Sequence, residues 1–113
     1  MQRLLAVILV SLSLASCSTV TGGPLVRSGE PIGYLEVINR SQYTLTSILI
    51  SDCSAMSYGL NRLPSGVTVP PGRSYRFTLS AGCWDVGAGL AYHDAYERLQ
   101  VRAGRVTRYT LTG

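Results

Sequence analysis

The chain has no lysine, one histidine (His93), one tryptophan (Trp84), one phenylalanine (Phe77) and only six acidic residues among its 113. A single histidine excludes a histidine-built metal cage and leaves acid–base chemistry one imidazole at most. His93 stands beside Asp94, but neighbours in a strand or turn point apart, and no Gly-x-Ser-x-Gly elbow supplies a nucleophile. Asp85 and Asp94 are offered to glycoside cleavage by elimination alone, and no Walker-type glycine loop is present to cradle phosphate. These absences read together as a non-enzyme that needs no cofactor and no metal.

Long apolar runs are also missing. The longest, Leu4 to Leu14, has 11 residues, against about 20 for a membrane-spanning helix. No segment carries the spacing of an amphipathic helix beyond a turn or two. The ten basic residues are all arginine and are scattered along the chain, unlike the dense basic clusters of nucleic-acid binders.

What is present begins at the amino terminus. Met1-Gln2-Arg3 and then the apolar run make a short positive region followed by a secretory-type hydrophobic segment. Leu14-Ala15-Ser16-Cys17 follows directly. This quartet resembles the lipobox of bacterial lipoproteins: an aliphatic residue, two small residues and then cysteine. The resemblance implies a diacylglyceryl group on the Cys17 sulfur, cleavage after Ser16, and a membrane anchor made of several acyl chains. One chain anchors marginally, at about 0.8 kcal/mol per buried methylene, and two or three anchor lastingly. Ser18, where such families use aspartate for inner-membrane retention, implies an outer-membrane, periplasm-facing location. Removing residues 1–16 leaves a 97-residue mature chain with nine arginines against six acids, a net charge of +3.

With Cys17 assigned to lipid, Cys53 and Cys83 remain as an even pair in an oxidising compartment. A disulfide is favoured over a zinc site, which needs four ligands, and over a reactive thiol.

Residues 17–32, the lipidated cysteine and then a Gly-, Ser-, Thr- and Pro-rich stretch, read as a flexible tether. Residues 33–113 read as one domain of short strands. Tyr43 to Ser51 is loaded with β-branched residues. Ser74 to Ser80 alternates, with Tyr75, Phe77 and Leu79 on one side. Cys83 to Tyr92 alternates again, and Tyr96 to Arg102 sets Leu99 and Val101 inward. Pro71-Gly72 is a strong turn signal.

Six or seven strands with regular turns predict an all-β, small antiparallel β-sandwich of immunoglobulin-like or transthyretin-like kind. Its expected core is Val37, Ile48, Ile50, Phe77, Leu79, Trp84, Val86, Leu99 and Val101. The stretches Val37-Ile38-Asn39-Arg40-Ser41 and Gly82-Cys83-Trp84-Asp85-Val86 resemble those of small exported bacterial β-sandwich domains. That resemblance implies a fold and no activity.

For binding, Arg76, Arg98 and Arg102 fall on the outward parity of their strands. On neighbouring strands they would form a basic stripe suited to phosphate or carboxylate groups. The alternative for these three is a solvated face that keeps an edge from aggregating. Six tyrosines (34, 43, 58, 92, 96 and 109) are candidates for core ends or for sugar-stacking platforms. The expected partners are the membrane through Cys17 and an envelope protein or anionic surface polymer, with no nucleic acid. The expected role is a lipid-anchored interaction or structural module, and the competing one an inhibitor or accessory subunit of a cell-wall hydrolase.

Overall fold

Alternation of buried and exposed side chains, the signature of a strand with one face on a core, recurs along most of the domain. A computed structural model describes residues 23–55, 57, 59–89 and 94–113. The expected leader and the lipobox-like quartet with Cys17, together with Tyr58, Tyr92 and His93, lie outside the described residues. Among the described residues six strands form: β1 Ile32–Arg40, β2 Ser47–Asp52, β3 Ser74–Ser80, β4 Gly82–Gly89, β5 Asp94–Val101 and β6 Val106–Thr112. They build two three-stranded sheets, ordered β3-β1-β6 and β2-β4-β5, and no helix occurs among the described residues.

The all-β sandwich is therefore as expected, with one difference in pairing. Three of the four strand pairs are antiparallel, whereas β1 and β6 run parallel. The chain passes between the sheets four times, from β1 to β2, β2 to β3, β3 to β4 and β5 to β6. A single residue, Ala81, carries the chain from β3 to β4, and Arg102–Arg105 carries it from β5 to β6. Between β2 and β3, Val69 makes one isolated antiparallel bridge, to Leu45.

The core lies between the sheets. Leu35 and Val37 from β1, Phe77 and Leu79 from β3, and Tyr109 and Leu111 from β6 face Ile48 and Ile50, Trp84, Val86 and Ala88, and Val101. Eight of the nine expected core residues are buried; Leu99 is partly buried and packs against the cluster. Each aliphatic side chain so enclosed adds about 1.5–3 kcal/mol of transfer free energy. Trp84 also satisfies its only polar atom, donating Nε1–H to the Ser80 carbonyl at 2.8 Å.

Two features lock the ends. Cys53 and Cys83 are joined in a disulfide with Cα atoms 5.6 Å apart, as expected, tying the end of β2 to the start of β4. At the opposite end Gly72, with φ 81°, follows Pro71 in a turn closed by Arg73 N–H to Pro70 carbonyl at 3.1 Å. Only glycine adopts that backbone angle without a steric penalty.

Candidate functional site

The sequence places Arg76 and Arg98 on outward parity, and both do point outward. Arg76 on β3 donates to Glu36 on β1 at 2.8 Å, and Arg108 on β6 approaches the other Glu36 oxygen at 3.9 Å. The register sets Glu36 opposite both arginines, so a cation–carboxylate–cation row crosses this sheet. The Arg76 guanidinium also sits 5.9 Å from the Tyr34 ring centroid. Arg98 on β5 grips Asp85 on β4 with two bonds, 2.9 and 3.2 Å. Arg102 is exposed just beyond β5.

The expected basic stripe is not formed. β3 and β5 belong to different sheets, so Arg76 and Arg98 project from opposite outer faces of the sandwich. Each is also engaged by a carboxylate. Period-two alternation reveals whether a side chain points out, but not which sheet its strand joins. Exposed pairs of this kind are worth about 0–1 kcal/mol each.

The outer face of β2-β4-β5 carries a mixed row. Leu49, Gly87 and Tyr96 are in register across the three strands. The Tyr96 ring lies over Gly87, where an added Cβ would come within 2.6 Å of ring carbon Cε1. Glycine is needed there for the ring to lie down, and Tyr96 remains half exposed. The disulfide occupies the same face, with Cys53 Sγ 3.9 Å from Asp85 Oδ1. Among the described residues, no three His, Cys, Asp or Glu side chains gather as a metal would require.

The densest polar site was not anticipated. Residues 23–31, expected to be the second half of a flexible tether, are docked on the sandwich. Arg27 is the clamp. Its side chain donates to Glu30 and to Asp52, both at 2.6 Å, and stacks 4.9 Å from the Trp84 ring centroid. Its backbone N–H donates to Ser80 Oγ at 2.7 Å. Ser80 N–H in turn donates to the Leu25 carbonyl, and Ala81 N–H to the Pro31 carbonyl, both at 2.8 Å. Farther along, Arg62 donates twice to the Ile50 carbonyl (3.1 and 2.9 Å) and once to the Gly23 carbonyl at 2.6 Å.

Composition misled here because Gly and Pro mark irregular backbone, not mobile backbone. The partners that immobilise it, Asp52, Arg62, Ser80 and Trp84, are remote in sequence. The local cue was the apolar Leu25-Val26 pair followed by Arg27 and Glu30 at a spacing of three.

Electrostatics support the clamp. The hydrogen bond to Glu30, above all, raises the Arg27 pKa. Burial lowers that of Arg62, whose guanidinium is held by carbonyls. Asp52 is lowered from its ordinary 3.8, first by the Ser54 backbone and hydroxyl and then by Arg27. A carboxylate with a depressed folded-state pKa contributes stability above its unfolded value and loses it as pH falls through the folded one. The share of the Arg27 clamp that Asp52 supplies should therefore be fully present at neutral pH and be lost as pH falls below 3.8, through the lowered value. An NMR titration checks this: the Arg27 and Ser54 amides should shift together below that pH, and a transition near neutrality would contradict it.

No protein-family model matches the chain, and no curated protein does so either. Among solved structures, it resembles the NMR structure of a protein from Eubacterium rectale, with a TM-score of 0.52 and 16% identity. The alignment covers 77% of this chain and 82% of that one. At that identity the likeness concerns the fold alone.

Proposed function

We propose that the chain is a membrane-anchored envelope lipoprotein whose β-sandwich acts as an interaction or structural module rather than an enzyme. The observation that carries this reading is the Cys53–Cys83 bond. It consumes two of three cysteines and leaves Cys17, the one that ends the lipobox-like quartet, for the lipid. Structural disulfides also belong to exported proteins. The partner is an envelope protein or an anionic surface polymer, and the outer sheet faces, with their arginine–carboxylate rows and Tyr96, are the surfaces offered to it.

The test is expression of the full chain and of Cys17→Ser in a two-membrane bacterium. The unaltered protein should carry acyl mass on Cys17 and fractionate with the outer membrane. The Cys17→Ser protein should lack the acyl groups and retain its leader. Equal fractionation of both, with no acyl mass on either, would remove the lipoprotein reading. Crosslinking from the acylated protein then identifies the partner.

A further inference from the structure

The docked strap changes what a lipid on Cys17 would do. A tether free up to Ile32 would put 15 peptide steps between Cys17 and the domain, a reach of about 50 Å when extended. Docking holds the chain at least as far back as Gly23, whose carbonyl accepts from the half-buried Arg62 guanidinium. Only six peptide steps then separate Cys17 from Gly23, at most about 20 Å. The leash is shortened to less than half.

The point of attachment is also specific. Asn61 bridges Leu49 in antiparallel register, which sets Leu60 across from Ile50. The Ile50 carbonyl is the one Arg62 holds together with that of Gly23. Leu60 is therefore placed on the β2 edge where the strap begins, and it is 60% exposed. Val26, on the strap itself, is 49% exposed. These are two of five large hydrophobics left exposed among the described residues. Charge at this edge is balanced: Arg27 by Asp52 and Glu30, with Arg62 engaged by carbonyls.

We infer that the sandwich is seated with its β2 edge on the bilayer, Leu60 and the Gly23–Val26 stretch meeting the lipid surface. This rests on the lipid-anchor reading and adds an orientation to it. In the sheet orders β2-β4-β5 and β3-β1-β6, β5 packs beside β6, so β6 is diagonally opposite β2. The far edge, with Tyr96, Arg98 and Arg108, is turned toward the aqueous side and to partners.

The experiment uses the full-length acylated protein in nanodiscs of phosphatidylethanolamine and phosphatidylglycerol doped with a headgroup-nitroxide lipid. Amide signals of Gly23, Leu25, Val26 and Leu60–Leu63 should be lost to paramagnetic broadening, and those of Arg108–Leu111 retained. Placing a long Gly-Ser insert before Gly23, together with Leu60→Asp, should abolish that contrast; both changes are at exposed or chain-linking positions that leave the core intact. Uniform broadening, or loss centred on β5 and β6, in protein whose Cys17 acylation is confirmed by mass overturns the orientation alone. Absence of acyl mass and of nanodisc association overturns the anchor, and the orientation with it.

Discussion

Replacing Cys53 and Cys83 together by alanine should lower folding stability by about 3.5 kcal/mol, a several-hundred-fold change in the folding equilibrium. The bond closes a loop of 31 residues, counted from 53 to 83 inclusive. Within that loop, the described residues between 53 and 73 form no strand and pair through the Leu49–Asn61 and Leu45–Val69 bridges. Opening the loop returns its closure entropy to the unfolded chain, where the effect is largest. The loss falls on a sensitive place. Cys83 immediately precedes Trp84, the largest fully buried side chain, and Cys53 follows Asp52, which clamps Arg27. Urea titration reads the effect as a lower midpoint, and reduction of the unaltered protein with a dithiol should reproduce it. The Arg27 amide should broaden in the same sample, because the strap is clamped through a neighbour of the bridge. A shift of less than about 1 kcal/mol would mean that the unfolded chain keeps the two ends of this loop close without the bond.

The sandwich was legible because most strands have one face on a core. Tyr75, Phe77 and Leu79 alternate with Ser74, Arg76 and Thr78, and the inner set is at least half buried. The same alternation gave Trp84 and Val86 on β4 and Val101 on β5. Leu35, Tyr109 and Leu111 were not in the expected core, although all three are buried. Tyr109 and Leu111 close the chain in a segment dominated by Thr and Arg, where little but the partner sheet marks the inner face. Leu45 and Val69 were missed for another reason: each is enclosed by the other's segment, outside the strands proper.

The functional surface was less legible, since its features are set by long-range pairing. Outward parity for Arg76 and Arg98 was correct, and their carboxylate partners came from strands whose neighbours no local pattern specifies. The disulfide could be read because cysteines are few and their chemistry narrow. The strap could not, because Arg27 finds Asp52 and Ser80 across 25 and 53 residues of sequence. An irregular segment held by two arginines looks, in composition alone, like one held by nothing.

Asn39→Ala should cost about 3 kcal/mol, an effect outside the range of ordinary surface substitutions. Asn39 is the penultimate residue of β1 and has no exposed surface, and its amide uses its full capacity of two donors and two acceptor pairs. Nδ2 donates to the Tyr43 carbonyl at 2.7 Å and the Val69 carbonyl at 2.8 Å. Oδ1 accepts from the Ser41 backbone at 3.0 Å and its hydroxyl at 2.6 Å. One side chain thus joins the turn after β1 to the segment that leads into β3. Alanine would leave the buried Ser41 N–H without this acceptor and open a void beside Val69. Ser41→Ala, which removes only the hydroxyl, should cost about 1 kcal/mol, so the pair of variants separates the hub from one of its spokes. Asn39→Asp sharpens the test. Its carboxylate would face two carbonyls that need donors, so burial and repulsion should raise its folded-state pKa. The resulting penalty is full above the raised folded-state value and is relieved as pH falls from it toward the unfolded carboxylate value. Denaturation of Asn39→Asp at neutral pH and near pH 4 should therefore show partial recovery at the lower pH, while Asn39→Ala shows none. Recovery in neither would place the weight of this end of the sandwich on the Leu45–Val69 backbone pair instead of the amide.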